Sequence, residues 1–196
     1  MNKDILICGV GGQGTVLASK IIASAAMEEK KTVHSAETIG MAQRGGSVTS
    51  HVRIGESYSP LIPHGSADLL LAFEPGEAVR NIKYLKKDGV VIVNTVPTDP
   101  VGASSEDNSY DASVMTDYLL KKCKCIFVNS EEVCKEFGSS KFFNIVILGI
   151  ATGADVLGVS FDTVQDQLTK RIPQKFLEIN KKAFMKGYEI GSNAQI

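Results

Sequence analysis

An α/β fold is predicted for this sequence: a Rossmann-like, mostly parallel sheet with helices on both faces and a helical C-terminal region. Three observations lead there. The first is Gly9-Val10-Gly11-Gly12-Gln13-Gly14, which follows the apolar run Ile5-Leu6-Ile7-Cys8 and precedes a long apolar-patterned segment over residues 15–27. That order reads as strand, glycine turn and helix. The second is a pair of unbroken apolar runs, residues 69–73 and 90–93, which suit strands covered on both faces by helices. The third is the alternation of such runs with helix-patterned segments along most of the chain.

Glycines at positions 9, 11 and 14 let the backbone turn sharply, leave room above the turn and let the helix start close to the strand. The N–H groups of Gly12, Gln13 and Gly14 are expected to face outward at the positive end of the helix dipole, a cradle for a phosphate or carboxylate. A tight turn without a ligand accounts for the same residues. Residues 31–35 predict a second strand parallel to the first, and Glu37 lies roughly 20 residues beyond the glycines, where dinucleotide-binding folds carry the acid that bonds a ribose hydroxyl. The match is partial, because Glu37 runs into Thr38-Ile39-Gly40-Met41-Ala42-Gln43-Arg44-Gly45-Gly46.

That segment gathers Glu37, Gln43, Arg44, Gly45 and Gly46 into a polar loop with a hinge. The planar fork of Arg44 suits a carboxylate or phosphate, and pairing with a neighbouring surface acid is the plainer alternative. Residues 47–54 alternate, with Val48, Val52 and Ile54 on one side and Thr49, His51 and Arg53 on the other. The pattern predicts a half-buried strand with His51 exposed. A proline-punctuated loop (59–65) leads into the strand at 69–73, a helix from Glu74-Pro75 to about Lys86, a turn at Asp88-Gly89 and the strand at 90–94.

Residues 95–110 are rich in proline, glycine, serine and acids and read as an irregular loop. Asp111 caps a helix reaching Lys122, residues 125–128 form a short strand, and Ser130 begins a helix with Glu131 and Glu132 in its first turn. Residues 142–159 are strongly apolar, but Asn144, Thr152 and Asp155 interrupt them, Gly149, Gly153 and Gly158 loosen them, and no flanking positive cluster favours a membrane. A helix packed all round or placed at a subunit interface is expected. Residues 163–191 read as helices with Leu168, Ile172, Phe176, Ile179 and Phe184 inward and the lysines solvated.

With 196 residues, 43% of them hydrophobic, the chain suits one sizeable core, and residues 1–196 are expected to form a single domain. A net charge of −1 gives no broad basic surface, so nucleic acid is not expected as a partner. The opening Met-Asn-Lys-Asp enters a strand without a leader-like segment, which predicts a cytoplasmic protein. The four cysteines (Cys8, Cys123, Cys125 and Cys134) lack the spacing of iron–sulfur or zinc sites, so reduced thiols and no metal are expected. No nucleophile–base–orienter set stands out, so no residue is assigned a catalytic role.

Taken together, GVGGQG at 9–14, ETIGMAQRGGSVTSHVRIG at 37–55, SPLIP at 59–63 and ADLLLAFEP at 67–75 resemble the gamma-type subunits of 2-oxoacid:ferredoxin oxidoreductases, and among them the small subunits of the indolepyruvate-oxidising kind. The resemblance extends over essentially the whole chain. It implies an accessory subunit, inactive alone, that pairs with a larger subunit holding thiamine diphosphate and iron–sulfur clusters. The assembly would decarboxylate an arylpyruvate to the acyl-CoA and pass electrons to ferredoxin, with coenzyme A as co-substrate. It further implies that Gly11, Gly12, Gln13 and Gly14 face the partner or a phosphate group such as that of coenzyme A, and that Glu37, Gln43, Arg44, Gly45 and Gly46 form a loop near the active-site cleft. Thr38-Ile39 departs from the family's commoner sequence there. A free-standing NAD(P)-binding dehydrogenase and a non-catalytic regulatory module are the alternative readings.

Overall fold

The computed structural model describes residues 2–39, 45–98 and 111–195. Its strands are β1 (Lys3–Val10), β2 (Val33–Ile39), β3 (Ser47–Ile54), β4 (Ala67–Ala72), β5 (Leu85–Asn94) and β6 (Lys124–Val128). The helices are α1 (Thr15–Glu28), α2 (Pro75–Asn81), α3 (Ala112–Lys122), α4 (Ser130–Cys134), α5 (Phe143–Gly153), α6 (Phe161–Arg171) and α7 (Gln174–Ser192). One six-stranded sheet runs in the order β2-β3-β1-β4-β5-β6. Strands β1, β4, β5 and β6 are parallel, whereas β3 is antiparallel to both β1 and β2. The predicted β1–α1–β2 unit therefore keeps parallel strands, but β3 sits between them.

Alternate residues of β1 point into two separate cores, which explains its unbroken apolar run. Ile5 and Ile7 join α1, α5, α6 and α7 on one face. Leu6 and Cys8 meet Ala78 of α2 and Leu119 of α3 on the other. Cys8 is a wholly buried thiol; burial raises its pKa well above the ordinary thiol value, and the nearby Glu77 and Glu74 raise it further. Among the described residues no helix is long and apolar enough to cross a membrane.

The interior position of β3 corrects the expectation for His51. Strands on both sides and cores on both faces leave this ring only 5% exposed. Its Nδ1 accepts the Ile62 N–H at 3.1 Å, and the ring packs edge-on to Tyr84 with centroids 5.6 Å apart. Burial, and then the Arg53 charge, push the imidazole pKa below its ordinary 6.5. On unfolding, the ring returns to that value and takes up a proton more readily, so its contribution to stability is complete above 6.5 and is lost as pH falls from there toward the lower folded value. Urea midpoints are expected to drop between about pH 7 and 5, and less steeply in His51→Asn. Identical slopes in the two proteins would show that the buried ring is not what titrates.

Three boundaries also differ from the sequence reading. Helix α2 stops at Asn81, a 3₁₀ turn covers Ile82–Tyr84, and β5 already begins at Leu85. Asp88-Gly89 lies inside that strand, where the β4 register slips between Ala67 and Leu69 and a Cβ on Gly89 would stand 3.0 Å from the Ala67 carbonyl oxygen. In α7, Phe176 is 47% exposed and Ile179 only half-buried. Leu177, Asn180, Ala183, Phe184, Gly187 and Gly191 form the inward stripe instead. The break at Pro173 starts a new helix, so the periodicity of α6 does not carry through it.

Helix α5 is packed on all sides, with residues 145–152 buried. Its glycines do not loosen it. A Cβ on Gly149 would overlap the carbonyl oxygen of Phe184, and one on Gly153 that of Tyr188. From the facing helix, Cβ atoms on Gly187 and Gly191 would overlap the carbonyl oxygens of Val146 and Ile150. Helices α5 and α7 thus touch backbone to backbone along a four-glycine seam.

Candidate functional site

The turn after β1 adopts left-handed backbone at two glycines, Gly12 with φ +101° and Gly14 with φ +89°. The two differ in their surroundings. Among the described residues nothing lies within 4 Å of a Cβ placed on Gly12, whereas one on Gly14 would stand 2.5 Å from the side-chain nitrogen of Asn144 in α5. Gly12 opens onto space and Gly14 admits a neighbouring helix. Gly9 serves packing, since a Cβ there would meet the Gln13 side-chain oxygen at 2.6 Å.

Gln13 departs from the expected cradle. Its backbone N–H donates to the Val10 carbonyl at 3.2 Å and is not aimed outward. Its side-chain oxygen accepts the Val10 N–H at 2.8 Å, while Nε2 donates to the Phe73 carbonyl at 3.2 Å and to Thr98 Oγ1 at 3.1 Å. Asn94, buried at the end of β5, donates to the same Phe73 carbonyl at 3.1 Å and accepts the N–H groups of Val96 and Ser130, both at 3.1 Å. These two amides tie together the carboxyl ends of β1, β4 and β5 and the start of α4. A cavity of about 310 Å³ lies there. Gly12, Gln13, Phe73 and Asn94 line it, together with Thr98, Ser130, Glu131, Ser140, Lys141 and Phe143. This is the edge of a parallel sheet where ligands of such folds collect.

The cavity borders the turn leading into α1, a helix with no acid in its first turn and no side-chain cap. The positive end of that dipole, together with Lys141, favours an anion, and Glu131 opposes one on the same wall. Among the described residues no thiol or histidine lines it. The lining can bind and orient; it cannot by itself supply a nucleophile with a base.

The second predicted cluster comes only partly into view. Gly11 N–H donates to the Gly46 carbonyl at 2.9 Å and Gly45 N–H to the Gly11 carbonyl at 3.4 Å, so the double glycine is laced to the first turn. Gln43 and Arg44 lie outside the described residues. Glu37 accepts the Ser19 hydroxyl at 3.3 Å on the α1 side of the edge strand β2 and does not line the cavity. With β3 between β1 and β2, it does not stand where the ribose-binding acid of a dinucleotide fold would.

The sequence reading missed Asn94, Ser140, Lys141 and Phe143. Asn94 had one signal, a polar residue closing a buried strand. It also missed Glu77, a buried carboxylate that accepts the Ser47 hydroxyl at 2.6 Å, pairs with Arg80 and so anchors the chain just after Gly46. Glu74 caps α2 by accepting the Glu77 N–H at 2.8 Å, and burial raises its pKa. Among the described residues no group of three His, Cys, Asp or Glu side chains could hold a metal ion.

Residues 4–190 match the family model described as pyruvate ferredoxin/flavodoxin oxidoreductase. The indolepyruvate oxidoreductase subunit IorB of Archaeoglobus fulgidus is 39% identical over 96% of this chain and 94% of its own length. The solved gamma subunit of keto/oxoacid ferredoxin oxidoreductase from Geobacter sulfurreducens superposes with a TM-score of 0.72 at 26% identity, covering 98% of this chain and 99% of that one. The 2-oxoglutarate:ferredoxin oxidoreductase of Magnetococcus marinus, solved with 2-oxoglutarate, coenzyme A and succinyl-CoA bound, shares the fold, with a TM-score of 0.74 at 20% identity. It covers 99% of this chain with 32% of its own.

Proposed function

This chain belongs to the pyruvate ferredoxin/flavodoxin oxidoreductase family and is a small subunit of a 2-oxoacid:ferredoxin oxidoreductase; from that premise we propose that the oxoacid is indolepyruvate or another arylpyruvate and that the chain is inactive alone. Thiamine diphosphate and the iron–sulfur clusters belong to a larger partner subunit, through which electrons reach ferredoxin. The described cysteines do not fit a cluster, since only Cys123 and Cys125 are paired and no third His, Cys, Asp or Glu side chain joins them among the described residues. The whole chain, 1–196, acts as one gamma-type domain in this reading.

One observation carries it: the glycine turn opens onto a cavity at the carboxyl edge of the parallel strands, and the described lining holds polar groups, Lys141 and Glu131 but no thiol or histidine. A phosphate of coenzyme A fits the open side of Gly12, beside the start of α1 and Lys141. Gly11, Gln13 and Gly14 shape this turn, while Glu37, Gln43, Arg44, Gly45 and Gly46 face the partner near its active-site cleft. Arg44 orients an anionic group of substrate or coenzyme there, or locks the loop against the partner.

The test is reduction of ferredoxin or a viologen dye, driven by indolepyruvate, with each subunit alone and with both. Neither alone should turn over, and the mixture should. Arg44→Ala in the mixture is expected to lower turnover about tenfold, the loss of one charge-assisted hydrogen bond, with the chain itself still folded. Turnover by this chain alone would sink the reading, and full turnover with Arg44→Ala would leave Arg44 an ordinary surface residue.

A further inference from the structure

At the junction of α3 and β6, Cys123 and Cys125 place their sulfurs 3.5 Å apart. Both side chains are half-buried, and β6 is the last strand of the sheet, with a neighbour on one side only. Lys121, Lys122 and Lys124 flank the pair in sequence and are exposed. We propose that Cys123 and Cys125 form a reversible dithiol–disulfide site, oxidised by a small anionic disulfide of the glutathione class that the three lysines attract.

The geometry supports both directions of the reaction. Closing the bond brings the sulfurs from 3.5 Å to about 2.05 Å, which side-chain rotation and a slight pucker of the strand can supply. Residues i and i+2 of an extended strand have Cα atoms roughly 6.6 Å apart, near the upper end of what a disulfide spans. The product is strained, and a strained disulfide is readily reduced. A resident metal is the poorer occupant, because no third ligand joins the two sulfurs among the described residues.

The sulfurs are also unequal. Either sulfur can donate across the contact; once Cys123 is ionised the Cys125 thiol is the donor, which eases loss of the Cys123 proton and makes loss of the Cys125 proton correspondingly harder. Cys123 thiolate therefore attacks one sulfur of the small disulfide, forming a mixed disulfide and releasing the first small thiolate. Cys125, giving up its proton, attacks the Cys123 sulfur and releases the second. Two protein thiols lose two electrons, the small disulfide gains them, and the two protons end on the two small thiols.

The experiment equilibrates the full-length chain, alone and assembled with its partner, in buffers of rising glutathione disulfide to glutathione ratio, followed by acid quench, alkylation and peptide mass mapping. The peptide carrying both cysteines is expected to lose two hydrogens without an adduct and to recover them with dithiothreitol. Cys125→Ser should trap glutathione on Cys123 several-fold faster than Cys123→Ser traps it on Cys125. Cys134→Ser, outside the pair, should leave the two-hydrogen loss unchanged. A pair still reduced at the most oxidising ratio in both samples, or one that ends as two stable adducts, would overturn the proposal.

Discussion

Replacing Gly187 by alanine is expected to destabilise the chain by about 3 kcal/mol, and replacing it by valine to prevent folding. The added Cβ has no side chain to displace. It would overlap the carbonyl oxygen of Val146, with the Ile150 nitrogen 3.0 Å away on the same wall. The two helices would have to move apart along their length, and α5 cannot retreat because it is buried against α1, α4 and α6 as well as the sheet. Helix propensity alone would predict the opposite sign, since alanine is favoured over glycine in a helix by roughly 1 kcal/mol. Urea denaturation followed by circular dichroism decides between the two. A Gly187→Ala protein as stable as wild type would mean that the helices do not meet at backbone contact.

Gly12→Val is expected to abolish most turnover of the assembled enzyme while leaving the chain able to fold. At φ +101° a β-branched residue is strained by roughly 1–3 kcal/mol, which the protein can tolerate because none of the described residues crowds the new side chain. The valine would instead occupy the open space above the turn, where the anionic group is proposed to sit. Dye reduction by the reconstituted complex, together with its affinity for the larger subunit, separates loss of ligand approach from loss of docking. Wild-type turnover and affinity would remove the turn from the mechanism.

The parallel half of the fold was legible because its strands are covered on both faces and read as unbroken apolar runs, and because GVGGQG marks the first turn. The antiparallel insertion was not. A strand inside a sheet can carry a row of polar residues along one covered face when each finds a partner, as His51 does with Ile62 and Arg53 with Asp4, and alternation then mimics an exposed face. Glycines in α5 read as breakers because periodicity along one segment says nothing about a second helix some 40 residues later with glycines at matching intervals. The turn beside the cavity was legible at Gly12 and Gly14, where the backbone itself demands glycine. It was not at Asn94 or Lys141, which only tertiary structure brings beside the turn.

The Phe73 carbonyl accepts from both Gln13 and Asn94. Three strand ends are thereby pinned to a single oxygen, and the floor of the cavity is a fixed reference plane whose parts cannot separate without breaking buried bonds. The rest of the described lining comes from other elements, among them Ser130 and Glu131 at the start of α4 and Ser140, Lys141 and Phe143 at the entry to α5. A ligand that matches this floor meets donors and acceptors already fixed in place, so little of its binding free energy is lost to ordering them.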